Sequence, residues 1–294
     1  MDFAIFAQYL ASGLLNGGLY ALIGVSLVII YKATKVFNFA VGAMMTLGGM
    51  ICVSLMTVFG MPIWFALPLA IMASGVLGFF VDKTIMRPLL AQPIITLIMA
   101  TLAFDSILYG LTLVFWTGYT ISFPMDSLPG KVIFLGPVFL SHELMYGFGA
   151  AIICFVAVGF LFNKTMIGLR MRATADSHEV AMALGIDITK IFSWTWVLAA
   201  MVGALAGIFL GHRVGLQASV TSALAFKALP AIILGGLDSI GGAIIGGLLV
   251  GVIEKMAGGY IDPKIAEISP YIILLMVLVV RPEGLFGEKR IERV

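Results

Sequence analysis

An all-α, polytopic transmembrane helical bundle is the fold class this sequence predicts, and three observations predict it. Of 294 residues, 61% are hydrophobic and only 11% charged, against about 25% charged in soluble chains, and the mean hydropathy is +1.13. Apolar runs close to the ~20 residues that cross a ~30 Å hydrocarbon core as a helix recur along the whole chain. The alternating ~10-residue segments of a membrane barrel are absent, which leaves helices as the way to satisfy the backbone in lipid. A net charge of +2 gives nucleic-acid binding no electrostatic support.

Apolar length, glycine and proline punctuation and charged breaks place spans at 4–31, 36–59, 62–81, 94–117, 144–162, 191–211, 224–236, 240–256 and 268–280. The region 224–256 is glycine-rich and its segments are short, so it reads either as two crossings or as a re-entrant pair, for eight to nine spans in all. Residues 1–294 are expected to form a single transmembrane domain with a charged loop at 163–190 and a longer loop at 118–143. The N-terminal run MDFAIFAQYL has no Lys or Arg ahead of it and is expected to be a retained span.

Charge placement orients the chain. Twelve of the 17 Lys and Arg residues, from Lys32 and Lys35 through Lys83, Arg87, Lys164, Arg170, Arg172, Lys190 and Arg281 to Lys289, Arg290 and Arg293, share one side of the nine-span arrangement. Lys131, Arg213, Lys227, Lys255 and Lys264 fall on or near the other. The positive-inside rule then predicts an outward N-terminus and a cytoplasmic C-terminus. The sequon Asn163-Lys164-Thr165 lies on the cytoplasmic side, where glycosylation does not occur. Loop 118–143, with Pro124, Pro129 and Pro137, faces outward and reads as a structured surface able to receive an external partner.

Small residues at i, i+4 spacing, Gly13 with Gly17, then Gly203, Gly207 and Gly211, Gly242 with Gly246, and Gly247 with Gly251, suit close helix contact. Cys52 and Cys154 fall in apolar segments and read as small packing residues. His142, His178 and His212 are far apart in sequence, so no metal site is expected. There is no GxxxxGK[ST], HExxH or GxSxG motif, hence no phosphate cradle, zincin site or nucleophile elbow.

The loop 163–190 is the one sizeable charged island between membrane-length segments. Within it Asp176 is placed to cap, Glu179 follows three residues later, Val180 to Leu184 give an apolar face and Gly185 is placed to stop the helix. A short amphipathic helix over Asp176–Leu184 is predicted. It suits docking in a partner's groove, with Arg170, Arg172 and Glu179 on the rim; the alternative is a helix resting on lipid headgroups. In the fourth span Asp105 lies near the centre of an apolar run, where an ionisable group is a functional candidate by default. A hydrogen-bonded packing contact is the competing reading for Asp105, and helix–helix hydrogen bonding competes with pathway lining for Asn38 beside Phe39. Asp238, in a tight glycine-rich turn, reads as a turn former.

Several stretches resemble the permease subunits of branched-chain amino-acid ABC importers. They are Gly17 to Ala21 followed by Asn38-Phe39-Ala40 with Gly42; Arg172-Ala173 through Ala181, Leu184, Gly185 and Ile186; the glycine-rich run Ala228 to Glu254; and Arg281-Pro282 with Gly284 to Gly287. Their order and coverage span most of the chain. The resemblance implies a transport subunit of the bacterial inner membrane, not an enzyme. A second permease subunit, a homologous heterodimer partner more than a second copy, would complete the pathway. Two cytoplasmic ATPases would bind ATP and Mg, and a periplasmic binding protein would deliver substrate. No cofactor is expected in this chain itself. Arg170, Arg172, Asp176, Glu179, Ala181, Leu184 and Gly185 would then contact an ATPase, and Asn38, Phe39 and Asp105 the pathway. The resemblance favours branched-chain or related amino acids as cargo, with urea, amides, polar amino acids or aromatic acids, carried by relatives, as the alternative; Val41 departs from the polar residue often found after the Asn-Phe-Ala motif in that family and removes a hydrogen-bonding group beside Asn38. An ion-coupled carrier is the competing class, but Asp105 is thin machinery for it. An intramembrane enzyme lacks a nucleophile–base pair or metal set.

Overall fold

The computed structural model describes residues 3–90, 92–124, 127–130, 133–136 and 138–287; Lys131, Pro137, Lys289, Arg290 and Arg293 lie outside them. The elements are α1 (Phe3–Thr34), α2 (Val41–Thr57), α3 (Ile63–Val81), α4 (Ile94–Trp116), β1 (Ile133–Leu135), β2 (Val138–Leu140), α5 (His142–Lys164), α6 (Met166–Asp176), α7 (His178–Ala183), α8 (Ile188–Val214), α9 (Ala218–Phe226), α10 (Leu229–Gly235), α11 (Ile240–Tyr260) and α12 (Pro263–Val280). Among the described residues, eight stretches are long and apolar enough to cross a membrane, and α2 is a shorter apolar helix. The fold is a polytopic helical bundle.

Helix ends follow local chemistry. Asp187 caps α8 by accepting from Lys190 N–H at 3.2 Å, Ser239 caps α11 through Gly242 N–H at 3.0 Å, and Asp262 precedes Pro263 at the start of α12. The Thr189 hydroxyl and the Lys190 N–H hold the Asp187 carboxyl down at about 2, so the cap is ionised at neutral pH. After α3 the helix widens over Asp82–Met86 and tightens over Arg87–Leu89, as expected where Pro88 removes an N–H and crowds the preceding turn.

The two ends of the bundle are marked by side-chain ties. At one, Lys35 pairs with Asp238 at 2.8 Å, His178 meets Ala33 O at 3.0 Å, and Arg87 meets Ser193 Oγ at 2.7 Å. At the other, Ile121 pairs with Leu216, Trp116 donates to Ser54 Oγ at 2.5 Å, and Gln8 donates to Phe139 O at 2.9 Å beside the β1–β2 hairpin. The segment 218–235 starts beside Leu216 and ends beside Asp238, so it traverses the bundle, and the re-entrant alternative is corrected. It does so as two helices: Pro230 cannot donate to Phe226 O four residues back, and the chain takes short turns from Lys227 to Leu224 O and from Ala228 to Ala225 O. The turn residue Asp238 is also an ion-pair partner, which its sequence context did not indicate.

Two helices at the centre are pressed together through glycine. A Cβ on Gly17 would sit 2.7 Å from Leu248 Cα, and one on Gly13 2.7 Å from Val252 Cα, while Gly247 and Gly251 return the contact against Ala21 and Gly17. Backbones approach here because lipid supplies no hydrophobic drive for helix association. The C-terminal stretch closes the α10–α11 turn: Leu285 N–H donates to Leu234 O at 2.8 Å and Phe286 N–H to Gly235 O at 3.0 Å, with Gly284 (φ 81°) and Gly236 (φ 106°) in close contact.

Candidate functional site

The span expected over 36–59 is helical only from Val41. Residues Lys35–Ala40 run non-helically into the bundle, with Val36, Asn38 and Ala40 buried. Backbone at that depth must find partners inside the protein. Side chains provide them: Thr34 Oγ1 accepts from Val36 N–H at 3.2 Å, Thr101 Oγ1 from Phe39 N–H at 3.3 Å, and Asn38 Oδ1 from Ala40 N–H at 3.0 Å. Asn38 is 1% exposed, and its Nδ2 points at Met44 Sδ, 3.6 Å away. Both of its polar atoms therefore serve its own segment, and Asn38 shapes the turn that presents Phe39.

Asp105 stands midway along α4, 11 residues from Ile94 and 11 from Trp116, about 16 Å from either end at ~1.5 Å per residue. Its carboxyl group lies near the backbone of Ala43 in the first turn of α2. The start of a helix carries unpaired N–H groups and a partial positive charge, so a polar group from a neighbouring helix meets a favourable field there. The break that leaves α2 starting inside the bundle thus creates the place that tolerates Asp105.

A second broken helix completes the junction. Phe39 packs on Phe37 (4.8 Å between ring centroids) and on Phe226 (6.4 Å) at the end of α9. Gly42 lies against the backbone of Ser222, and Thr46 Oγ1 reaches Ser222 Oγ at 3.5 Å. Phe39 and Asp105 are half-buried where Asn38 is sealed, so they are the two sequence candidates with exposed surface at the junction. Phe226 and Ser222 were not singled out by the sequence; Pro230, four residues after Phe226, was the available signal for a break. Val41, whose apolar character stood out, is 2% exposed and packs in the core.

The charged loop is more structured than one short helix. It contains α6 and α7, and the cap is corrected: Asp176 is the last residue of α6, while Ser177, in extended conformation, accepts from Val180 N–H at 3.3 Å. Ser177 wins because it is the residue at which the backbone leaves one helix and enters the next. Ala181 is 1% exposed, and His178 packs edge-on against Phe192 of α8 at 5.5 Å, which anchors α7 to the bundle. Arg170, Asp176, Glu179, Leu184 and Gly185 are exposed, and Arg172 is half-buried. Gly185 adopts φ 77°, with Gly185 N–H bonded to Met182 O at 2.9 Å and Ile186 N–H to Ala181 O at 3.0 Å, a glycine-terminated helix end. Val180, Met182 and Leu184 are 58%, 58% and 72% exposed. An apolar surface of this kind beside charged residues is characteristic of an interaction site.

The structure also brings His142 and His212 to one cavity of about 360 Å³, shared with Glu143 and Arg213. Among the described residues, no three His, Cys, Asp or Glu side chains converge as metal ligands.

Interrupted helices that meet inside a polytopic bundle are an arrangement found in membrane transporters. The chain belongs to the family described as branched-chain amino acid transport system / permease component, which matches residues 9–280. It is 25% identical over 302 residues to the high-affinity branched-chain amino acid transport system permease protein BraD of Pseudomonas aeruginosa, covering 98% of each chain. It is 26% identical over 315 residues to the corresponding permease protein LivH of Escherichia coli, covering 100% of this chain and 99% of that one. Among solved structures, PsaBC from Streptococcus pneumoniae in complex with Fab matches with a TM-score of 0.52 at 11% identity, over 94% of this chain and 93% of that one, a likeness of fold. The homologues are transport permeases, and the chain is a multi-pass permease subunit of the ABC type.

Proposed function

We propose that this chain, as a single permease domain, forms half of the pathway of an ATP-driven importer for branched-chain or related amino acids. In this reading the end carrying Lys35, Arg87 and α6–α7 is cytoplasmic, the N-terminus is periplasmic and the C-terminus cytoplasmic, in a bacterial inner membrane. The loop 118–143 faces a periplasmic binding protein. Two ATP-binding subunits, which hold ATP and Mg, dock on the segment 163–190, and a homologous but distinct permease chain completes the pathway. Phe39 and Asp105 line that pathway, with Asn38 positioning Phe39. Related permeases carry other cargo in their names, an L-arabinose permease of Azospirillum brasilense being 30% identical over 62% of this chain, and the half-buried Phe39 and Asp105, more than the core residue Val41, are where substrate preference is to be sought.

The observation that carries this reading is α7 and its end: exposed apolar side chains at Val180, Met182 and Leu184, on a helix tied to α1 and α8 through His178 and packed on the bundle through Ala181. A short helix so anchored transmits a push from a docked partner as rigid-body motion. In the complex assembled with its ATPase subunits, Leu184→Asp places a charge in the docking contact. Uptake is expected to fall about tenfold or more, the loss typical of a truncated hot-spot side chain, while the permease inserts normally. Uptake and stimulated hydrolysis at parental rates would refute the docking role.

A further inference from the structure

One sizeable cavity, formed by described residues, is separate from the junction and from α7. It is a groove of about 660 Å³ between α3 and α8, walled by Met72, Val76, Phe79, Trp194, Val197 and Met201, within the ~300–1,000 Å³ range of ligand-sized sites. Along α8 it extends from Lys190 to Met201, 11 residues, or about 16 Å. That is close to half of a ~30 Å hydrocarbon core, the depth of one leaflet.

Its chemistry is graded along this length. The deep part is apolar, and the mouth, at the Lys35–Asp238 end of the bundle, is lined by Arg87, Lys190 and Ser193, with Asp187 against Lys190 and Asp82 against Arg87 and Ser193. Asp82, the partner of Arg87, is 1% exposed and sits behind the wall, not in it. Arg87 Nη2 is committed to Ser193 Oγ (2.7 Å) and to Asp82 (3.3 Å), whereas its Nε is buried with no hydrogen-bond partner. Lys190 pairs with Asp187 at 3.2 Å, but with 78% and 46% of the two side chains exposed, a contact weak enough to be given up for a better anion. Trp194, 47% exposed, stands four residues inside Lys190, at the level where indole favours the membrane interface.

We propose that this groove is a binding site for an anionic phospholipid, with one acyl chain between α3 and α8 and the headgroup phosphate at Arg87 and Lys190. An apolar helix of another protein laid in the groove would strip water from both cations without offering an anion. A phosphate satisfies the mouth and its acyl chain satisfies the wall.

The full chain is placed in phosphatidylcholine vesicles that contain either phosphatidylglycerol or phosphatidylcholine brominated on the acyl chains, and the tryptophan fluorescence lost with Trp194→Phe is read as the groove signal. Brominated phosphatidylglycerol is expected to quench it at a markedly lower mole fraction than brominated phosphatidylcholine. Lys190→Gln, at an exposed site that leaves the fold alone, should reduce that preference about fivefold, the worth of one basic side chain near an anionic surface. Val197→Phe, which narrows the groove, should reduce quenching by both lipids. Equal quenching by the two lipids, or an unchanged preference in Lys190→Gln, overturns the proposal. So does a signal that disappears as the protein-to-lipid ratio rises, which assigns the groove to a protein neighbour. Inorganic phosphate that abolishes the preference where chloride of equal ionic strength does not assigns the mouth to a free anion and overturns it too.

Discussion

The α1–α11 pair and the junction of α2, α4 and α9 both lie inside the bundle, yet they are built from opposite materials. The first is backbone against backbone, with Gly13, Gly17, Gly247 and Gly251 removing every side chain that would keep the helices apart. The second is a non-helical segment whose N–H groups at Val36, Phe39 and Ala40 are met one at a time by Thr34, Thr101 and Asn38, with Asp105 near the start of the helix that follows. A close-packed seam has one arrangement and resists displacement. A set of single hydrogen bonds at helix breaks can be exchanged for others at modest cost. The difference divides the molecule into a close-packed seam and a junction held by single hydrogen bonds.

The largest expected effect is on the seam. Gly17→Leu forces a side chain into the backbone of Leu248 and Gly247. It should exceed the ~1–3 kcal/mol of ordinary overpacking, with little folded protein recovered after purification. Gly110→Ala, in α4 where a Cβ meets nothing within 4 Å, is the control, expected to be neutral or stabilising by up to about 1 kcal/mol. Thermal unfolding of the two side by side tests whether the seam or glycine content as such matters; equal melting temperatures would remove the distinction.

An intermediate effect belongs to Thr101→Val, which keeps the shape but leaves Phe39 N–H buried without an acceptor. An unmet buried donor costs about 1–3 kcal/mol, so unfolding should shift by that amount and hydrogen exchange at residues 36–40 should accelerate before exchange in α1 does. A uniform change across both regions would mean that the junction is not a separate unit. The smallest stability effect is expected for Asp105→Asn, where the amide oxygen still accepts at the start of α2. The exchange of a carboxyl for an amide acceptor is worth about 1 kcal/mol, while the proposed place of Asp105 in the pathway predicts that uptake falls several-fold. Parental uptake with lowered stability would make Asp105 a packing residue.

Most of the bundle was legible from apolar length alone, because a span of ~20 residues in lipid has no alternative but to be helical. The breaks were not. Val36 to Ala40 is as apolar as the helix that follows, and the residues that keep it non-helical include Thr101, 62 positions away. Asp105 stood out as an isolated charge, but its partner is a backbone group of α2, to which composition is blind. In the charged loop the stop at Gly185 was visible because glycine at that place has a local conformational reason. The cap was misassigned by one residue, since Asp176 and Ser177 are both good caps and only the start of α7 decides between them. Asp238 looked local and proved to be tied to Lys35 across the chain.

By itself the sequence determined that this chain lives in a membrane, roughly where it crosses, that its charge gathers beside α6–α7, and which family it belongs to. These are properties of segments, set by transfer energies that add along the chain. Tertiary structure alone decided which helix starts are left open at mid-depth, which carboxylate fills one of them, and where two cations meet an apolar groove. Those depend on side chains distant in sequence arriving within a few ångströms of one another, and hydrogen bonds and ion pairs are sensitive to separation at that scale.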